Sequence, residues 1–251
     1  MSLRRRLSLE TALLACFSAL YAVILKLLPG IPAYGLPGVK IQIAVALSPV
    51  YGYVLGGALG SASTLLGTLL AVFLIPSKYS LFSLATIPCA ALGALTSALT
   101  LDRGKILGIS KWLYSILIYL ILLSAWMATD VGRATLPYVI PYIGAMILIL
   151  LKGAFLDKIR FRRRILAVTP KLFIGALAGI LADHFLGSLE GIIVFRYVLA
   201  AASPESLTAI YLAAIPIVLV ERGIMTITSF IILLNLYLAI GRSEYVRIKL
   251  E

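Results

Sequence analysis

Pro37–Pro76 reads PGVKIQIAVALSPVYGYVLGGALGSASTLLGTLLAVFLIP, an apolar stretch whose sole charge is Lys40. Gly52, Gly56 and Gly60 recur at every fourth position, so a continuous helix would carry them on one face. Gly57, beside Gly56, offers a point where two helices could meet in a tight turn. Lipid tails are as apolar as leucine, so helices in a bilayer associate through close backbone approach, which small residues permit. The stretch predicts a helical hairpin, Lys40–Leu55 and Gly57–Ile75, whose glycine face carries the closest packing in the protein.

Outward from this hairpin, the composition sets the class. The chain is 62% hydrophobic and 13% charged, whereas a soluble domain carries about 25% charged residues. Apolar runs near the length that a bilayer core of about 30 Å demands of a helix recur along it. The alternating ten-residue pattern of an outer-membrane barrel does not. The fold class is therefore all-α, a polytopic transmembrane helical bundle forming one integral membrane domain over residues 1–251.

Further helices are expected at Leu9–Leu28, Leu81–Leu101 with a kink at Pro88, Lys111–Thr129, Leu136–Leu151 and Pro170–Gly187. Leu207–Ile240 reads as one helix plus a broken segment, interrupted by Pro216 and by Glu221-Arg222. Ser188–Ser206 is mixed in character and could re-enter the membrane or lie on it. The count is about eight crossings, within a range of six to eight.

The net charge of +12 could suggest nucleic acid, but its distribution argues for topology. Arg4–Arg6, Arg103/Lys105/Lys111, Lys152–Arg164 and Arg242–Lys249 all fall on one side of an eight-helix arrangement. By the positive-inside rule that side is cytoplasmic and holds both termini. Anionic lipid headgroups, not nucleic acid, are the partners these clusters fit. Cys16 and Cys89 lie inside apolar runs and suggest neither a disulfide framework nor a metal site.

Ionisable residues within membrane segments are costly and mark function by default. Asp183 shares a four-residue spacing with Gly175, Gly179 and Gly187, so the carboxylate is expected to face another helix or a cavity. His184, the single histidine, reads first as a hydrogen-bonded interior residue and second as a ligand contact; alone it cannot form a metal site. Glu221 and Arg222 are candidates for an intramembrane charge pair, although neighbours on a helix point about 100° apart.

Trp126, Thr129, Asp130 and Arg133 cluster at the expected external end of one helix. Tryptophan there reads first as an interfacial anchor. An aromatic beside a carboxylate and a guanidinium also suits a planar polar ligand. Lys40, Gln42, Glu190 and Arg196 are expected on the same side. The candidate ligand-binding set is thus Lys40, Gln42, Trp126, Asp130, Arg133, Asp183, His184 and Arg196.

Signatures of hydrolases, zinc peptidases and nucleotide-binding loops are absent from the sequence. Neither a catalytic role nor a cofactor is expected. Without an ATPase module, active transport would draw on another subunit or an ion gradient.

Three pieces of the chain resemble the S component, the substrate-binding membrane subunit, of energy-coupling factor (ECF) vitamin transporters. ETALLACFSALYAVI holds Ala15-x-x-x-Ala19, similar to the small-residue pattern that family places on its first helix. IAVALSPVYGYVLGGALGSASTLLGTLLA, after a proline- and glycine-rich loop, resembles the family's glycine-rich hairpin. IPIVLVERGIMTITSFIILL is similar to the last helix of several members. Family members commonly have six helices, so 111–151 would be an added pair. The histidine motif of the cobalt and nickel branch is missing, so metal is not the expected cargo.

The resemblance implies capture of a small vitamin-like molecule on the external face of the cell membrane. A transmembrane coupling subunit and two ATPases would then drive release inside, with Ala15 and Ala19 facing the coupling subunit. Two other readings stay open. An ion-coupled secondary transporter would use Asp183 or Glu221. A membrane enzyme acting on lipid-linked substrates would use Asp183 and His184 as acid and base, with Arg133 or Arg196 on phosphate.

Overall fold

Alternating apolar runs and glycine or proline breaks produce an almost entirely helical chain, seen in a computed structural model that describes residues 3–32, 40–74, 80–159 and 164–240. Helix α1 (Leu3–Leu27) leads into a two-stranded antiparallel ribbon, β1 (Gly30–Pro32) and β2 (Lys40–Gln42), with Ile31 opposite Ile41. A turn of 3-10 helix (Ile43–Leu47) precedes α2 (Ser48–Leu55) and α3 (Gly57–Leu74). Then come α4 (Leu81–Ala85) and α5 (Ile87–Leu101), and a second small ribbon, β3 (Lys105–Ile106) with β4 (Ile109–Ser110). The second half comprises α6 (Lys111–Ala128), α7 (Asp130–Ala134), α8 (Ile140–Leu151), α9 (Arg164–Ile192) and α10 (Pro204–Ile240).

Seven helical runs among the described residues are long and apolar enough to cross a bilayer. The chain is a multi-pass membrane protein. The eighth expected crossing, Lys40–Leu55, is instead divided. Its apolar helical part, Ile43–Leu55, is too short to count with the seven. Pro49 sits in the first turn of α2, and Gly56 ends the helix with φ +79°, a left-handed conformation that glycine adopts without steric cost.

That break also revises the expected glycine face, because Gly52 and Gly60 fall on different helices. A Cβ on Gly52 would press into the carbonyl oxygen of Ala94 in α5; one on Gly60 would lie 2.6 Å from that of Tyr51 in α2. The hairpin stands, with each arm held by a separate glycine contact.

Two other expectations change. The seventh helix does not stop at Gly187: α9 runs through Pro170 to Ile192 and continues as a π-helical turn, Ile193–Val198, into the region expected to be mixed. The last stretch is one unbroken helix, α10, with Pro216 inside it. Proline forfeits its own N–H bond and crowds the carbonyl four residues before it, but neighbouring helices can re-satisfy the freed groups in a membrane. At 37 residues and about 1.5 Å per residue, α10 exceeds the bilayer core. Pro88, by contrast, does interrupt its run: α4 and α5 are separate helices joined at Thr86.

Helix α9 is the hub, packed against α2, α5, α6, α8 and α10. Buried residues make up 61% of its most apolar window but only 11% in α1, so α1 presents most of its surface outward. Hydroxyl groups tie helices together where hydrocarbon offers no other partner. Tyr119 donates to the Ala178 carbonyl at 2.7 Å, Ser61 to that of Ala91 at 2.8 Å, and Tyr51 to that of Phe17 at 3.1 Å.

The charged residues segregate by end. At one, Asp157 receives Lys152 at 2.8 Å, Lys171 at 3.0 Å and Arg103 at 3.3 Å, and Asp102 receives Lys111 at 2.6 Å. Burial pushes the Asp157 carboxyl up, but Lys152 and Lys171 outweigh it and hold it below the ordinary range. Arg160–Arg163 and Arg242–Lys249 lie outside the described residues, as do the Arg164 and Arg4–Arg6 side chains.

Candidate functional site

Gly93 in α5 and Gly179 in α9 set the position of the site. A Cβ on Gly93 would fall 2.9 Å from the Gly179 carbonyl oxygen, and one on Gly179 would fall 2.7 Å from that of Gly93. One turn beyond this crossing, the next residue on the same face of α9 is Asp183, and after it Gly187, where a Cβ would find only Cys89 Sγ at 3.7 Å. Close contact gives way to space.

That space is a cavity of about 190 Å³ lined by α1, β2, the 3-10 turn, α3, α4, α5, α9, α10 and Tyr138. Its polar wall contains Asp183, His184, Glu221 and Arg222. Asp183 and Arg222 are buried. Four buried atoms on this lining make no hydrogen bond among the described residues: Tyr21 Oη, Asp183 Oδ1, Glu221 Oε2 and Arg222 Nε. Glu221 and Arg222 do approach each other, but at 3.9 Å, beyond hydrogen-bond reach. Arg222 Nη1 reaches only the sulfur of Met225, at 3.4 Å.

The other wall is aromatic, formed by Phe82, Tyr138 and Tyr211, and Tyr142 and Phe185 pack next to it without lining the cavity. Tyr142 Oη lies 2.7 Å from His184 Nδ1, Tyr138 Oη lies 2.9 Å from Ser188 Oγ, and Tyr211 donates to the Ser188 carbonyl at 2.7 Å. Tyr142 stacks on Phe185 at 4.0 Å between centroids, and Tyr138 meets Tyr211 edge-on at 5.0 Å. Hydrogen-bonded hydroxyls and offset or edge contacts are what buried tyrosines require, and they fix the ring positions.

Of the candidate ligand residues, the cavity gathers Gln42, Asp183 and His184, and adds Glu221 and Arg222. Trp126 is not an interfacial anchor. It is fully buried and stacked on Tyr138 at 5.2 Å, so it backs the cavity wall without lining it.

Asp130 and Arg196 form a separate clasp at 3.4 Å, each about one-third exposed. Tyr197 donates to Asp130 at 2.9 Å. That hydroxyl, the Val131 N–H and Arg196 hold the Asp130 carboxyl below its usual range. Arg133 reaches back to the carbonyls of Met127 and Ala128 at 3.4 and 3.3 Å, satisfying the open end of α6. Neither arginine joins Asp183 and His184 on the cavity lining. Lys40 has its backbone in β2, while its side chain lies outside the described residues. Ala15 and Ala19 are exposed on α1.

The sequence reading missed Tyr21, Tyr138, Ser188 and Tyr211. Their signal was available: a tyrosine deep in an apolar run needs a partner for its hydroxyl.

The uncharacterized protein MJ0923 of Methanocaldococcus jannaschii is 31% identical over 194 residues, covering 75% of this chain and 58% of that protein. The chain thus spans less than two thirds of its relative's length. No protein-family model and no solved structure matches it.

Proposed function

We propose that this chain is the membrane-embedded substrate-binding subunit of an ECF-type importer in the cell membrane. It captures a small vitamin-like molecule from outside and works with a coupling subunit and two ATPases. The observation that carries the reading is the cavity itself, where buried charged and hydroxyl groups converge without satisfying one another. Such groups cost several kcal/mol in a low-dielectric interior unless a partner is found, on the order of 1–3 kcal/mol even for neutral ones, and that cost favours a ligand.

Three features support the topology. The lining falls in the first turns of α5 and the last turns of α9, the ends opposite those next to Asp102 and Lys171, and the basic end is the one the positive-inside rule assigns to the cytoplasm. The ribbon and 3-10 turn after α1 contribute Ile41, Gln42 and Val45 to the lining. Ala15 and Ala19 leave a flat, small-residue strip on the outer face of α1, where another membrane helix can pack closely.

The test is purification from native membrane in mild detergent, followed by identification of co-purifying proteins and small molecules. The proposal expects a coupling subunit and ATPases with the wild-type chain, and their loss with Ala15→Trp/Ala19→Trp while the bound small molecule stays. A chain that transports in proteoliposomes with an ion gradient and no other protein would replace this reading with the secondary transporter, for which the two carboxylates on the cavity lining, Asp183 and Glu221, speak.

A further inference from the structure

We infer that the cavity takes a planar aromatic monocation of one ring or a compact fused pair, with N–H donors along one edge, as in a protonated amino-substituted nitrogen heterocycle. This rests on the reading of the cavity as a substrate site and gives that substrate a chemical class.

Size comes first. A cavity of about 150 Å³ holds one benzene molecule, and this one measures about 190 Å³. A single substituted ring or a small fused pair fits; a tricyclic cofactor, a dinucleotide or a macrocycle does not.

Shape and polarity follow from the walls. Tyr138, Tyr211 and Phe82 offer ring surfaces on the lining, and Tyr138 and Tyr211 are locked by their bonds to Ser188. A planar ligand uses such surfaces without disturbing them, and the negative faces of the rings favour a cation. The unmatched atoms give the hydrogen-bond requirement. Asp183 Oδ1 and Glu221 Oε2 are acceptors, Arg222 Nε is a donor, and Tyr21 Oη can be either. A complementary ligand supplies donors on one edge and an acceptor near Arg222.

Charge closes the argument. With Asp183 and Glu221 ionised and His184 neutral, two carboxylates face one guanidinium on the lining, an excess of one negative charge. A monocation balances it, whereas a carboxylate ligand would double it. A bare metal ion is a poorer match, because the described residues contain no group of three or more histidine, cysteine or acidic side chains able to hold one.

The experiment is isothermal titration of the detergent-purified full chain with four probes of similar size: benzamidine, protonated 2-aminopyridine, neutral benzamide and benzoate. The two cations are expected to bind about 10- to 100-fold more tightly than benzamide, the change that one charged hydrogen bond makes, with benzoate weaker still. Asp183→Asn and Glu221→Gln, each checked for an unchanged melting transition, are expected to abolish that preference separately.

Preference for benzoate, indifference to charge, or no binding by either cation overturns the class assigned here. Sodium ion binding at the same carboxylates without any organic cation overturns it too. The two readings fail differently. A native ligand that is recovered from the chain but is anionic or larger sinks the class and spares the substrate site. A folded chain from which no ligand is recovered, and which binds no probe, sinks both.

Discussion

Gly93 and Gly179 touch backbone to backbone, each placed so that a methyl group on it would press into the other's carbonyl oxygen, at 2.9 and 2.7 Å. This crossing of α5 and α9 holds Asp183 at the cavity edge. Gly93→Ala or Gly179→Ala is expected to cost about 1–3 kcal/mol, the usual penalty for overpacking a close contact. Gly144→Ala, with nothing within 4 Å of an added Cβ, is expected to be neutral or to gain up to about 1 kcal/mol of helix propensity. Thermal unfolding in detergent measures all three, and equal effects would contradict the packing account.

Asp157 is the common partner of Lys152 and Lys171, whose side chains are almost wholly buried, and of Arg103. Asp157→Asn leaves those cations without their counter-charge and is expected to cost about 3–5 kcal/mol.

The same carboxylate gives a pH signature. Its folded pKa lies below the ordinary 3.8, so its contribution is fully present above that ordinary value and is lost as pH falls through the folded one. Wild-type stability is expected to drop on acidification in that window more than that of Asp157→Asn. Parallel curves for the two proteins would refute the assignment.

The contact between Tyr142 Oη and His184 Nδ1, at 2.7 Å, orients the histidine at the cavity. Tyr142→Phe strands a buried ring nitrogen and is expected to cost about 1–3 kcal/mol. A double-mutant cycle of Tyr142→Phe with His184→Phe should return a coupling of about 0.5–3 kcal/mol; additivity would show that the two side chains act independently.

Much of this arrangement was legible in the sequence because membrane physics is local. Apolar run length marked the helices, and the four-residue spacing of Gly175, Gly179, Asp183 and Gly187 marked the face of α9 that turns inward. What the sequence could not convey was long-range. Whether Glu221-Arg222 breaks α10 or lines a cavity depends on α9 and α1 lying across from it. Trp126 looked interfacial because it falls near a helix end, yet Tyr138 and Tyr211 enclose it. The Asp130–Arg196 pair joins residues 66 apart in sequence, so no spacing rule could separate that clasp from the cavity. Gly56 misled for a different reason: its periodicity with Gly52 and Gly60 is real, but its backbone is used for a turn.

In the proposed importer, coupling to a motor would rest on α1. Ala15→Trp and Ala19→Trp add bulk to exposed positions and are expected to leave the melting transition of the isolated chain nearly unchanged, within about 0.5 kcal/mol. Uptake by cells that depend on the complex is expected to fall sharply. Unimpaired uptake by the double variant would remove α1 as the docking face.

The most direct measurement is native mass spectrometry of the chain purified alone, set beside Asp183→Asn purified in the same way. One small-molecule adduct is expected on the wild-type chain, displaced by benzamidine and missing from the variant, although both proteins are folded. An adduct carried equally by the two, or a folded wild-type chain that neither carries a small molecule nor takes up benzamidine, would contradict that expectation.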